Sequence, residues 1–361
     1  MARNGNLSAA KRAKNDEFYT RYEDIQKEMQ AYLVHDPDVF RGKCVLCPCD
    51  DPDWSNFTKY FATRFSDLGL KKLICTSYAK SAGNRIVTDL QKESPSFDIS
   101  KNATHGKRFS LDVDEPPCDL EHIRYEYLDG DGDFRSDEVR RLRDEADIIV
   151  TNPPFSLFRE FLAWIYEANK KFICIGPMNA ITYKEVFPLI KDNRLWVGTT
   201  HPKTFKQVHG PVKTFGNVYW YTNVEHGLRH ELMQLDTMEN NLRYNKRLRK
   251  KLLESYGALE YPKYDNYDAI EVPFTSAIPS DYDGAMGVPI SFLDKYNPEQ
   301  FEIVAFRKGE DGHDLVFSRE RESSTVLSSP RSTSIAGMIK NAEGAINGKP
   351  TYARITIRRR R

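Results

Sequence analysis

Asn152, Pro153, Pro154 and Phe155 stand together in the stretch DIIVTNPPFSLF, residues 147–158. Their groups suit one chemical task. Asn152 offers a side-chain oxygen. The carbonyl of Pro153 cannot be tied down by an N–H at Pro154, because proline has none. Both oxygens are acceptors, and both could point at one NH2 group. Phe155 adds a π-face for a flat ring. Two acceptors and a stacking surface suit an exocyclic amine on a heterocycle. The competing reading is a strand-end turn with a half-buried phenylalanine, since four residues make a short motif.

The flanking text says how such a platform would be held. Ile148, Ile149 and Val150 are three β-branched residues in a row, which predicts a strand buried on both faces. Thr151 and Asn152 finish it. The two prolines fix φ twice and push the residues before them toward extended backbone. The expected result is a stiff platform at the carboxyl end of a strand, the edge of an open α/β sheet where ligands bind. Phe158, Phe161, Leu162 and Ile165 then recur at helical spacing, with Ser156 as a candidate cap.

Two acidic stretches bear on the same edge. In CPCDDPDWSNF, residues 47–57, Asp50, Asp51 and Pro52 follow the first expected strand, KCVLCPC. The segment lacks the glycines of a dinucleotide or phosphate loop, which argues against NAD and ATP. Carboxylates there would repel a pyrophosphate but favour a cofactor carrying an ammonium and a sulfonium. A helix N-cap cluster is the alternative. DGDGDF, residues 129–134, invites a calcium reading. An EF-hand starting at Asp129 needs Gly at the sixth place and Glu at the twelfth, and these hold Phe134 and Arg140. The other readings are an acidic loop in which Asp133 accepts from an amino group while Phe134 stacks on its ring, or a plain surface turn. Phe215 and Trp220, in a late strand region, could cover the second face of a bound ring or serve the core.

No metal site is expected. Alternation sends Cys44 and Cys47 to opposite strand faces, and no second Cys/His pair lies near. HGLRHE, residues 226–231, has its Glu misplaced for a zinc protease helix. The six cysteines are expected as reduced core thiols.

The totals bound the class. The chain has 361 residues, 40% hydrophobic and 29% charged, as expected of a globular protein. No apolar run approaches the ~18 residues of a membrane span. The start lacks an apolar signal core, so a cytoplasmic protein is expected. The net charge of +1 excludes nothing, but basic residues gather at Lys11, Arg12 and Lys14, across 243–251 and across 358–361. Such clusters could track phosphates, or be solvated faces and a frayed tail.

Strand and helix signals alternate from residue 16 to about 225, which predicts a parallel, doubly wound α/β sheet. The helices expected are YEDIQKEMQAYLVH, SNFTKYFATRFSDLG closed by Gly69, the one after NPPF, and TYKEVFPLIKDN. The strands are KCVLCPC, KKLICTSY, DIIVTN, KFICIG, LWVGTT and GNVYWYTN. Residues 80–125 read as an irregular insertion. Residues 1–15 read as a flexible basic arm. Residues 226–361 read as a second, smaller region with one basic helix, ENNLRYNKRLRKKLLESY, and Pro- and Tyr-rich text.

NPPF after a strand, an acidic loop after the first strand and DGDF between them resemble the S-adenosylmethionine-dependent amino-methyltransferases. With DEFYT, CDDP, GLKKLI, GDGDFRS, TNPPFSLFRE, ITYKEVF, YPKYDNYDAI, GVPISFL and NPEQFE, the chain is similar to the EcoRI-type adenine-specific DNA methyltransferases from residue 16 to about 309. The resemblance leaves the last fifty residues uncovered. It implies a Rossmann-like methyltransferase sheet with a C-terminal target-recognition region, and a monomer of a restriction–modification or phage system. The reaction implied is methylation of adenine N6 in duplex DNA, with the base flipped out. It implies that Phe18, Tyr19 and Thr20 line the methionine end of the cofactor. Asp51 and Pro52 then lie in the first-strand loop, Asp133 and Phe134 hold the cofactor adenine, and residues 152–155 hold the target base. The usual glycines and the usual ribose-binding acid are replaced by DDPDWSN and CTSY, which puts Asp50 and Tyr78 at those cofactor positions. The basic helix is expected to meet phosphates through Lys246, Arg247 and Lys250. Rival readings are an amino-methyltransferase of RNA or of a protein glutamine, and a catalytically silent DNA-binding relative.

Overall fold

The computed structural model describes residues 19–79, 96–114, 124–206, 213–214, 216–306, 345–351 and 353–360. They group into two compact units. One comprises the described residues up to Ile181 together with Leu195–Gly227, and the other Thr182–Arg194 together with those from Leu228 onward.

The first unit runs β1 (Tyr19–Thr20), α1 (Tyr22–His35), β2 (Cys44–Cys47), α2 (Asn56–Thr63), β3 (Lys72–Ser77), β4 (Lys107–Asp112) and β5 (Glu126–Tyr127). It continues with α3 (Asp137–Glu145), β6 (Ile148–Thr151), α4 (Phe158–Glu167), β7 (Lys171–Pro177), β8 (Trp196–Val197), β9 (Thr204–Lys206), β10 (Lys213–Thr214) and β11 (Val218–Thr222). Eight of these strands form one sheet in the order β5-β4-β3-β2-β6-β7-β11-β8. Strands β3, β2, β6 and β7 are parallel. β4 and β5 continue antiparallel beyond β3, and β11 runs antiparallel between β7 and β8. The all-parallel sheet expected from the sequence is therefore a mixed one. Its parallel centre keeps the continuous apolar runs that two covered faces demand: CVLC and IIVT are buried at every position. β4 lies inside the stretch read as irregular. Its pattern alternates between buried and more exposed positions, as an antiparallel strand with one wetter face should.

The faces are covered by different helices. Val45, Cys47, Leu73, Cys75, Ile148, Val150, Ile173 and Ile175 share one cluster with Ile25 and Met29 of α1 and Phe57, Tyr60 and Phe61 of α2. On the opposite face, the ring of Phe158 opens α4 5.1 Å from that of Tyr221 and lies directly on Gly176. A Cβ at residue 176 would overlap that ring, so glycine is what lets α4 settle on β7.

Several helix boundaries differ from the pattern-based ones. α2 ends at Thr63, and the chain turns through to Gly69, which sits at φ +62°. α4 is preceded by a 3-10 turn over Phe155–Leu157, with the N–H of Leu157 donating to the Pro154 carbonyl at 2.9 Å. Leu157 takes the cap position, so Ser156 does not cap the helix. TYKEVFPLIKDN is α-helical only over α5 (Phe187–Lys191), where Pro188 can open a helix but not continue one.

The second unit holds α5, α6 (Met238–Tyr244), α7 (Lys246–Tyr256), β12 (Ile270–Glu271), β13 (Met286–Val288), β14 (Phe301–Phe306), β15 (Ala345–Ile346), β16 (Lys349–Pro350) and β17 (Ile355–Arg359). The single basic helix expected is two. Asn245 ends α6 with a backbone bond to Asn241 and caps α7 by accepting from Leu248 N at 3.0 Å. The basic C-terminal segment is not a frayed tail either. β17 is paired on both sides, in the order β12-β13-β17-β14, and Ile355, Thr356 and Ile357 are fully buried. Arg354 holds the buried Glu271 carboxylate with both its Nε and Nη2. No helix among the described residues is long and apolar enough to cross a membrane.

Candidate active site

The chain passes from β2 to β3 on one side and later returns to β6 on the other side of β2. Loops leaving β2 and β6 therefore diverge and open a crevice at the carboxyl ends of those strands, where open α/β sheets bind ligands. The loop after β2 carries Asp50–Asp53, and that after β6 carries Asn152–Phe155.

Asp50 joins the two loops. Only 4% exposed, it accepts from Ser55 Oγ at 2.7 Å, from Thr151 Oγ1 at 2.5 Å and from the backbone N–H of Asn152. Burial pushes its carboxyl up to about 7, against the pull of those three donors, and the neighbouring Asp51 charge raises it further. Ser55 in turn caps α2 by accepting from Phe57 N. The Asp50 N–H is tied to the Thr76 carbonyl at the end of β3, so the loop is braced to three elements. Pro153 is buried, Pro154 half-buried, and Phe155 half-buried against the core cluster.

The remaining acids of the β2 loop have a partner that the sequence did not announce. Lys107, the first residue of β4, is fully buried. Its ammonium lies 2.5 Å from Asp53 Oδ2, 4.0 Å from Asp51 Oδ1 and 4.4 Å from the centre of the Tyr125 ring. The loop is thus a compensated charge cluster and not a bare acidic patch.

The third wall is the GDGDF loop. Gly132 sits at φ +79°, and a Cβ there would overlap the Ser77 carbonyl at the end of β3. Glycine is required for this backbone crossing. Ala79 N donates to the Asp131 carbonyl at 2.6 Å, which holds Tyr78 over the loop. Tyr78 is 44% exposed. Partial burial raises its hydroxyl pKa, and the charges of Asp131 and Asp133 raise it further. Asp133 is engaged by Arg135, which donates from its backbone N, Nε and Nη2, and those bonds hold its carboxyl below the usual range.

Near the N-terminal end of the described chain, Thr20 belongs to the small sheet β1-β9-β10. Its carbonyl accepts from Asn56 Nδ2 at 2.7 Å, which places it beside the first turn of α2. The Thr20 hydroxyl oxygen is buried with no hydrogen-bond partner among the described residues.

Not every residue selected from the sequence faces the crevice. Phe134 is 4% exposed, its ring edge-on to Phe161 and Trp164 at 5.2 and 5.6 Å, with the Arg135 guanidinium 5.4 Å away. That ring packs among the core aromatics and shows little free face. Trp220 is fully buried and packs edge-on to Phe57 at 6.0 Å, so it is also core and cannot cover a bound ring. Phe18 and Phe215 lie outside the described residues, as do the side chain of Tyr19 and the basic cluster at Lys11, Arg12 and Lys14. Lys246, Arg247 and Lys250 stand in the second unit. All three are exposed; Arg247 covers the Phe274 ring at 3.9 Å, and Lys250 lies 3.8 Å from Glu254. Five cysteines among the described residues are free thiols, and no group of metal-ligating side chains occurs among those residues.

The chain is similar to known proteins over nearly its whole length. The family described as Adenine-specific methyltransferase EcoRI matches residues 6–360, which includes the last fifty residues left uncovered by the sequence reading. The Type II methyltransferase M.EcoRI of Escherichia coli is 39% identical, over 100% of this chain and 99% of its own length. The Type II methyltransferase M.MpnI of Mycoplasma pneumoniae is 32% identical over 98% of each. A third relative, the Type II methyltransferase M.MgeORF184P of Mycoplasma genitalium, is 30% identical over 98% of each. No solved structure matches. On a match that spans nearly its whole length, the chain belongs to the adenine-specific methyltransferase EcoRI family.

Proposed function

We propose that this chain methylates adenine N6 at specific sites in duplex DNA, using S-adenosylmethionine, as the modifying enzyme of a restriction–modification or phage system. The observation that carries this reading is the Asn152–Pro153 acceptor pair at the end of β6, with its backbone anchored on buried Asp50 beside the crevice. The sheet is read as a doubly wound, Rossmann-like methyltransferase sheet, and the second unit as the target-recognition region. A cytoplasmic monomer fits this role.

The residues present suit the cofactor. Thr20 keeps a buried hydroxyl oxygen with no hydrogen-bond partner among the described residues, which fits the polar methionine end. Asp51 and Asp53 beside the cationic Lys107 make a polar, nearly balanced surface that accepts an ammonium and sulfonium better than a pyrophosphate. Tyr19, Thr20, Asp51, Pro52, Tyr78 and Asp133 are assigned to hold it. When bound, it supplies an electrophilic methyl group on sulfur.

The chain's own residues do the rest. The adenine amine is a poor nucleophile because its lone pair is spread into the ring. Accepting its two N–H bonds at Asn152 Oδ1 and the Pro153 carbonyl favours a pyramidal nitrogen with a localised lone pair. Fixed acceptors act by positioning and by aimed dipoles. A base inside a duplex cannot reach this edge and must be flipped out, at a cost of a few kcal/mol. Stacking on Phe155 offsets part of that, by about 1–3 kcal/mol on comparable platforms.

Sequencing of modified bases in DNA from cells expressing this chain tests the proposal. N6-methyladenine confined to one sequence is the expected result. Transfer to RNA or protein in parallel assays, with none to duplex DNA, would overturn it.

The basic helix is assigned to phosphate contacts. Lys246 and Arg247 occupy the first turn of α7, which holds no acid, although a helix N-terminus disfavours cations. An arriving phosphate relieves that repulsion. Replacing Lys246, Arg247 and Lys250 by glutamine is expected to lower the slope of log affinity against log salt by roughly 3, near 0.9 per lost phosphate contact. A slope that does not change removes α7 from the interface.

A further inference from the structure

We infer that Asp50 is a positioning residue that locks the Asn152 backbone in the orientation required for methyl transfer, and that it does not touch the cofactor. This rests on the reading of Asn152 as the acceptor of the target amine. Among the acids of the β2 loop, Asp50 is the one turned inward. Its carboxylate accepts from Ser55, Thr151 and the Asn152 N–H, and its residual exposure is 4%. Asp51 and Asp53 look instead toward Lys107.

The position of the anchor matters. Proline at 153 and 154 removes two backbone donors after Asn152, so the N–H of Asn152 is the last one before the acceptor pair. Bonding it to Asp50 fixes the peptide plane from which the Asn152 side chain departs. The Thr151 Oγ1 bond to Asp50 Oδ2 pins the preceding residue. Through Ser55 the same carboxylate is tied to the α2 cap, so the target-base platform and the first turn of the helix beside Thr20 share one anchor.

Holding the carboxylate here carries a cost. Among the ionisable groups near Asp50 are Asp51 in its own loop and Cys47 at the end of β2, and no ion pair to it occurs among the described residues. Its carboxyl is raised to about 7. Between the ordinary carboxylate range and that value, the folded protein holds a proton that the unfolded chain has released. Stability therefore falls as pH rises through this window. An amide at residue 50 escapes that penalty.

The test compares Asp50→Asn, Thr151→Val and Asn152→Ala with the wild type. Single-turnover transfer from labelled S-adenosylmethionine to unmethylated duplex DNA is measured beside cofactor affinity, DNA affinity and Tm. Asp50→Asn is expected to slow transfer about 100-fold, the scale of one misaimed polar group. Both affinities should stay within about threefold, as expected of a group that bears on the chemical step alone. The Tm should be unchanged or higher, the gain larger at pH 8 than at pH 5. Wild-type transfer, or a loss of cofactor affinity matching the loss of rate, would overturn the inference. Thr151→Val removes one donor to Asp50 while leaving residues 50 and 152 intact; slowed transfer with unchanged cofactor affinity supports the same role if the residue 50 variant does not fold, and a wild-type rate refutes it. Wild-type turnover in Asn152→Ala would sink the parent reading of the site. Loss there with full activity in Asp50→Asn would sink this inference alone.

Discussion

Asn152→Ala is expected to lower methyl transfer by at least about 100- to 1,000-fold, the range seen when one preorganised polar group is removed from a reacting centre. DNA and cofactor affinity should change little, because the lost oxygen contacts one amino group of one base. Alanine keeps the backbone N–H that bonds to Asp50, so the platform stays anchored and the fold has no reason to yield. Near-normal turnover in a transfer assay would remove Asn152 from the chemistry. Asn152→Asp sharpens the comparison. It keeps an acceptor oxygen and should lose less activity than alanine, but it sets a second carboxylate beside an already buried one. Two close carboxylates resist joint ionisation, so this variant is expected to lose Tm more steeply than the wild type as pH rises from the ordinary carboxylate range through about 7, the value for Asp50 in the wild type, and beyond it. Alanine at 152 adds no carboxylate and keeps the wild-type dependence set by Asp50 alone.

The parts of this site that could be read from the chain are those written in contiguous residues. IIVT followed by two prolines can end in few other ways than a buried strand stopped at a sheet edge, and β6 and its turn lie where that text puts them. YEDIQKEMQAYLVH forms α1 over the same residues. What the chain conceals are pairings across long separations. Asp50 meets Thr151 across 101 positions, and nothing local marks it as the acid that turns inward while its neighbour stays near the surface. Lys107 hides a strand. KRFSLD alternates, but its inward positions begin with a lysine, and a charged residue at a core position reads as loop until its partner is known. Phe134 and Trp220 fail for the converse reason. An aromatic ring is equally at home in a pocket wall or in a core, and Phe161, Trp164 and Phe57 decide the matter only once the elements have packed. The break in the basic helix was legible in principle, since Asn245 is a preferred cap type, but amphipathic spacing continues across it.

Lys107→Met tests whether the β2 loop depends on a buried cation. Methionine matches the volume and length of the lysine stem, so packing against Tyr125 survives while the charge is lost. Asp53 and Asp51 then lose the cation beside them, their side chains only 15% and 12% exposed. Removing one partner of a buried pair costs about 3–5 kcal/mol when the other stays dry. Here the loop can swing its carboxylates into water, so a loss of about 2–3 kcal/mol is expected, below that range. The swing itself carries the functional consequence. It moves Asp51 and Pro52 out of the crevice, so cofactor affinity should fall while the Asp50 anchor to Asn152 remains. The order of effects is therefore the opposite of that at residue 50: binding suffers first, and saturating cofactor restores most of the transfer rate. Adding Asp53→Asn separates charge from geometry. A neutral pair in place of a buried ion pair is often no worse than the pair, so the double variant should regain most of the lost stability, with a coupling energy of about 1–3 kcal/mol in the cycle, as for groups in direct contact. Additive losses in that cycle, or unaltered cofactor affinity in Lys107→Met, would show that the lysine fills space in β4 and does not hold the loop.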